Sequence, residues 1–309
     1  YVDREFPLLK DKNVRKLPKE DTEILKNNVE AMVYHKIGDV CVHQTDNIIV
    51  SAFISLSVVG KISNYTLVTT SLSTIIAIII NNCVSSIGNF ISVEAPERKK
   101  EIFRVYNFLA FWIYGFVAIE LFALFQPFIQ VWVGEENLIG SLTIGIIIIE
   151  YYFSGLRVAV ANFKSACGIF QADKYIGIVQ AVVNLVFSIA LAKMIGLPGV
   201  YIGTVAQGVV DFVWRPRLVY KLVFKESSKE YYLTWFKQFA VFLMLAAASC
   251  FIASRILTQI SLGRIIIAGF VILAFVNLIL FAIYRKTTEF KFLQEKAAAL
   301  IDKYNILRK

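Results

Sequence analysis

The chain has 309 residues, 57% of them hydrophobic and only 18% charged, with a mean hydropathy of +0.64. A soluble domain runs at about 45–50% apolar and about 25% charged. Disorder, coiled coil, collagen and nucleic-acid binding are therefore excluded, and an all-α polytopic membrane protein is expected. The net charge of +9 matters through its placement rather than its sum. The chain opens on Tyr1 with YVDREFPLLKDKNVRKLPK, which does not read as a signal peptide. It reads as the interior of a longer protein, with further spans expected upstream.

A spanning helix needs about 20 mostly apolar residues, and eight segments qualify. They run from Ile37 to Val59, within Ile62 to Val93, from Val105 to Val133, from Ser141 to Phe163, from Tyr175 to Ala192, from Leu197 to Trp214, from Gln238 to Ser254 and from Ile265 to Tyr284. The second stretch is too short for two passages and is read as one long helix. Upstream, Ile24, Val29, Met32 and Val33 recur at helical spacing after Pro18 and Asp21, which predicts an amphipathic helix at the membrane interface. The domain reading is a linker over 1–36, a six-span lobe over 37–225, two added spans over 226–285 and a helical tail over 286–309.

Of the 32 Lys and Arg residues, 27 fall in the N-terminal segment, the tail and every second loop between them. The opposite loops hold four (Lys61, Lys193, Arg255 and Arg264), and Arg157 lies inside a span. This asymmetry predicts that both ends face the cytoplasm. Contact with anionic lipid is a secondary reading of the same charges.

Ionisable groups inside spans are costly and face a bundle interior or a water-filled cavity. In the first span Asp39, His43 and Asp46 fall at i, i+4 and i+7 on one face, flanked by Gln44 and Asn47. They are read as lining an aqueous cavity, with interfacial capping as the alternative for Asp39 and His43. The fourth span places Glu150, Ser154 and Arg157 at the same spacing. A direct Glu150–Arg157 pair is not expected across two turns. Arg157 keeps its charge at any accessible pH. It suits either an anionic substrate or an interhelical ion pair with Asp46, Glu120 or Asp211. The Ser/Thr/Asn-rich second span, Asn81 included, either lines a polar cavity or joins helices by hydrogen bonds. Gly199 and Gly203 form a GxxxG packing face.

No HExxH, GxSxG or phosphate-binding loop is present, and the four cysteines show no metal-ligand spacing. No enzyme, cofactor or catalytic residue is expected. A membrane-embedded glycosyl- or acyltransferase remains a rival, weakened by the absence of an acidic outer-loop cluster.

Three stretches resemble the polysaccharide flippases of the multidrug/oligosaccharidyl-lipid/polysaccharide exporter superfamily, O-antigen flippases among them. They are TDNIIVSAFISLSVVGKISNY (Thr45 to Tyr65), FQPFIQVWVGEE (Phe125 to Glu136) and GLPGVYIGTVAQGVV with WRPRLVYKLVF (Gly196 to Phe224). The resemblance implies one six-helix lobe of a two-lobe carrier in the bacterial cytoplasmic membrane, its N-terminal lobe absent from this sequence. It further implies passage of a lipid-linked oligosaccharide, on an undecaprenyl diphosphate carrier, by alternating access. Arg157, His43, Gln44, Asn47 and Asn81 would bind the substrate. Asp39, Asp46, Glu150 and Asp211 would couple transport to H⁺ or Na⁺. The rival of the same superfamily is an ion-coupled drug or metabolite exporter. The raw count of five carboxylates against Arg157 in the first six spans favours that rival.

Overall fold

A computed structural model describes residues 18–91 and 95–307, with the side chains of residues 37, 39–44, 82–91 and 299–307 outside the description. Among the described residues there are nine α-helices and no strand: α1 Lys19–Phe53, α2 Leu56–Ile91, α3 Pro96–Val133, α4 Ser141–Ala166, α5 Ile176–Ile195, α6 Leu197–Val219, α7 Lys229–Ile256, α8 Leu262–Tyr284 and α9 Thr288–Leu307. The chain is an all-α polytopic membrane protein, as its hydropathy predicts.

Among the described residues, six segments are long and apolar enough to cross a bilayer: Leu56–Asn81, Pro96–Val133, Ser141–Ala166, Gln171–Ile195, Lys229–Ile256 and Leu262–Tyr284. Eight spans were expected. Of the other two, α6 falls short through its polar load, and the expected span in α1 includes residues 37 and 39–44, whose side chains lie outside the described residues. The last three turns of α6 carry Asp211, Arg215 and Arg217. The middle of α1 carries Lys36, Asp39, His43 and Asp46. Both are sheltered: α6 packs against α4 and α5, and α1 lies along α5. The expected interfacial helix and first span are one 35-residue rod in α1, so the boundary at residue 36 falls inside a helix. That rod stops at Phe53, earlier than Val59, and α2 begins three residues later at Leu56.

Side-chain contacts sort the connections into two ends. At one end Lys100 reaches Glu226 (2.6 Å) and Glu230 (2.9 Å), and Arg104 reaches Glu289 (2.8 Å). These join the starts of α3, α7 and α9. At the other end Lys193 stacks over Phe53. There Tyr65 donates to Gln126 Oε1 (2.6 Å) and accepts from the Ile139 amide (3.3 Å).

α5 and α6 are joined by Gly196 alone, at φ 69°, a left-handed geometry that glycine adopts without penalty. The two helices then run so close that a Cβ on Gly199 would meet the Leu191 carbonyl and one on Gly203 the Ser188 side chain. The GxxxG pair is thus a packing face. A second close approach lies between α1 and α5, where a Cβ on Gly38 would come within 2.5 Å of the Gly177 backbone. Aromatic side chains fill the opposite half, where Phe103, Phe111, Phe163, Phe242, Tyr152 and Tyr220 are fully buried.

Candidate functional site

The close α1–α5 and α5–α6 contacts bring α1, α4, α5 and α6 together around a cavity of about 440 Å³. Its wall includes His35, Lys36, Arg157, Lys164, Asp211 and Arg215. Gly38 and Gly177, whose missing side chains allow the helices to meet, line it as well.

A ladder of alternating charge runs along this cavity. Arg157 Nη2 lies 2.5 Å from Glu150 Oε1, and its Nη1 lies 3.5 Å from Glu150 Oε2. Its Nε is 3.7 Å from Asp211 Oδ2. Asp211 in turn holds Arg215 at 2.8 and 2.9 Å. Arg215 Nε lies 3.5 Å from Asp173 Oδ2. Asp173 accepts two hydrogen bonds from Lys164 Nζ, at 2.8 and 2.7 Å, and faces His35 Nε2 at 3.2 Å. Lys164, Asp173 and Asp211 are each only 3% exposed. Three carboxylates alternate with three cations, so the buried network is neutral with His35 uncharged. Neutrality is what makes such burial tolerable, because an unpaired charge there would carry a desolvation penalty of several kcal/mol.

The Glu150–Arg157 pair corrects the expectation that two turns separate them too far. Side chains on a helix lean toward its N-terminus. Arg157 therefore reaches back along α4 toward Glu150. Its guanidinium lies against Gly208, where a Cβ would collide with it. Of the interhelical partners considered for Arg157, the structure selects Asp211. Glu120 lies instead near Gly269 of α8.

The other predicted residues separate from this cavity. Asp46 belongs to a second cluster between α1, α5 and α6. It accepts from Thr204 Oγ1 at 2.8 Å and from Asn184 Nδ2 at 3.4 Å. The Asn184 side chain is fully buried, and its Oδ1 has no hydrogen-bond partner. Asn47 is exposed on α1 and does not line the cavity. Asn81 sits away from it, accepting from Asn162 at 3.0 Å. The side chains of Asp39, His43 and Gln44 lie outside the described residues.

Sequence reasoning missed Lys164, Asp173 and Arg215 as site residues because each adjoins a polar loop. A signal existed. Asp211 and Arg215 stand at i, i+4, and Gln180, Asn184 and Ser188 form a polar stripe at i, i+4, i+8 on otherwise apolar α5.

No family model, no curated protein and no solved structure matches this chain.

The ladder makes a stability prediction. Arg157→Met leaves Glu150 and Asp211 facing each other across a site that has lost its cation, and such single-partner losses cost about 3–5 kcal/mol. Adding Glu150→Gln should restore most of that loss. Thermal unfolding of the single and double variants in detergent measures it. Equal destabilisation in both would mean the pair carries no coupled energy.

Proposed function

We propose that this chain is one lobe of a flippase that passes a lipid-linked oligosaccharide, carried on a diphosphate, across the membrane by alternating access. The supporting observation is the sign of the cavity wall. Among the described residues, Lys36, Arg157, Lys164 and Arg215 line it, with His35, against the carboxylate of Asp211. Glu150 and Asp173 pair with these cations but are not part of the lining. Among the described lining residues the balance runs opposite to the raw carboxylate count, which favours an exporter of organic cations. Guanidinium and ammonium groups match phosphate oxygens by charge-assisted hydrogen bonds. No covalent chemistry is needed, and no catalytic residue is assigned.

In this reading the substrate's diphosphate competes with Glu150 for Arg157. Arg157→Lys should keep part of the export of surface glycan, and Arg157→Ala should abolish it, both at normal insertion levels in the full-length protein. Export assays paired with thermal stability of the purified variants decide it. Stable Arg157→Ala protein with full export would eliminate the role.

The Asp46 cluster is proposed as the coupling-ion site. A carboxylate, a threonine hydroxyl and an amide oxygen are hard donors that suit Na⁺ or a proton. Asp46→Asn should leave folding intact and remove dependence on the ion gradient. Unchanged transport that still responds to a collapsed gradient would make Asp46 structural.

Orientation follows from charge placement, with the basic end in the cytoplasm. Cys167 caps α4 at that end, and burial pushes its thiol up to about 11, opposed by Lys99. The thiolate is the reactive form. Labelling of a variant retaining only Cys167 should be confined to inverted vesicles, and its rate should rise about tenfold per pH unit from pH 7 to 10. A thiol of ordinary pKa, about 8.5, would level off near pH 9. Labelling from outside intact cells would reverse the orientation.

A further inference from the structure

A second chamber, of about 220 Å³, lies between α3, α7, α8 and the start of α9. It shares no lining residue with the Arg157 cavity. Six aromatic side chains surround it: Phe103, Phe108, Tyr220, Tyr231, Trp235 and Tyr284. Its mouth carries Arg104, Glu230 and Glu289, where Arg104 bridges the two carboxylates at 3.1 and 2.8 Å.

One group in the chamber is unsatisfied. Gln238 is only 9% exposed, and its side-chain amide lines the chamber without a hydrogen bond to a described residue. An amide that faces a chamber with no protein partner is open to hydrogen bonding by a ligand. Beside it in the lining, Asn107 spends its Nδ2 on the Phe103 carbonyl at 2.7 Å, leaving its side-chain oxygen as an acceptor.

These features select a ligand by chemistry. Aromatic faces attract cations, and at the mouth the carboxylates of Glu230 and Glu289 stand beside Arg104 and Lys100. The amide oxygens of Gln238 and Asn107 require N–H donors. A primary ammonium satisfies both conditions, whereas a quaternary ammonium has no N–H to give. The volume suits a headgroup, being below the roughly 300–1,000 Å³ of pockets for drug-sized ligands. The position suits one as well. After Arg104, α3 carries no charged side chain until Glu120, and this apolar run begins at the chamber. The chamber therefore sits at the edge of the hydrocarbon, with Arg104 and Lys100 in reach of a lipid phosphate.

We propose that this chamber is a headgroup site for a phospholipid bearing a primary ammonium, such as phosphatidylethanolamine. The ammonium lies among the aromatic rings and bonds to Gln238, and the phosphate meets Arg104. This assignment is independent of what the Arg157 cavity carries.

The test uses the purified chain in lipid-free detergent, with lipid retention read by native mass spectrometry and stabilisation by thermal unfolding. Probes are phosphatidylethanolamine, phosphatidylcholine, phosphatidylglycerol and water-soluble phosphoethanolamine. Phosphatidylethanolamine should be retained at least about tenfold better than phosphatidylcholine, the difference expected from one hydrogen bond to a charged group. Gln238→Leu should erase that preference. Glu230→Lys, which reverses the charge beside Lys100 and Arg104, should weaken phosphatidylethanolamine binding and strengthen phosphatidylglycerol binding. Equal retention of the ethanolamine and choline lipids would overturn the proposal. So would undiminished phosphatidylethanolamine binding by Glu230→Lys, which decides the matter if Gln238→Leu fails to insert. Stabilisation by soluble phosphoethanolamine equal to that by the lipid would overturn the assignment to a membrane lipid.

Discussion

The carboxylate of Asp211 is the point on which this half of the protein turns. It sits on α6 with 3% of its surface exposed, and it touches cations from two directions, Arg157 on α4 and Arg215 one turn along its own helix. Through Arg215 the network continues to Asp173 and so to Lys164 and His35. One chain of charge thus ties α1, α4, α6 and the turn before α5 together along the cavity. Surface ion pairs contribute little to stability. Buried ones fix geometry more than they stabilise, because breaking one partner strands the next. The consequence is a site whose members cannot move independently.

Close helix approach is the condition for that network. Arg157 sets its guanidinium against Gly208, and α1 reaches α5 only because Gly38 meets Gly177. Within hydrocarbon there is little hydrophobic force between helices, so small residues and polar contacts carry association. The same division appears along α5. Its buried face presents Gln180, Asn184 and Ser188, bonded to Gln207, Thr204 and the Val200 carbonyl of α6. Its other face exposes Val179, Val182, Leu185 and Val186. The aromatic half between α3, α7 and α8 is held differently, by ring packing such as Tyr152 on Phe242 at 4.1 Å.

Hydropathy alone places α2 through α5, α7 and α8, because each carries a long apolar run that only a membrane or a large core can absorb. It fails at α1, where the apolar pattern of Ile24 to Val33 and the polar pattern of Asp39 to Asp46 read as two elements. Nothing between them breaks a helix: no proline occurs from Lys19 to Phe53, so the backbone runs on. It fails again at Lys164 and Asp173, which hydropathy assigns to a loop because charge marks loops on average. Their burial depends on α1 closing over the turn, a tertiary fact with no local signature. The Glu150–Arg157 contact was missed for a geometric reason. Counting turns gives the separation of backbone positions, whereas a long arginine leaning toward the N-terminus covers much of that distance itself.

A neutral ladder and a cationic wall are compatible, and their combination matters for the carrier proposed here. Neutrality lets six ionised groups remain inside the bundle at an acceptable desolvation cost. Asymmetry then decides what the cavity meets: Arg157, Lys164 and Arg215 line it, while Glu150 and Asp173 do not. An arriving phosphate would find its partners already occupied by carboxylates of similar geometry. Binding would then be an exchange of one oxyanion for another, with a small net free energy. That suits transport, where a site must accept its cargo and also release it. A wall of unpaired cations would hold a diphosphate too firmly to turn over. In the proposed carrier the internal carboxylates would therefore matter to turnover as much as the cations they neutralise.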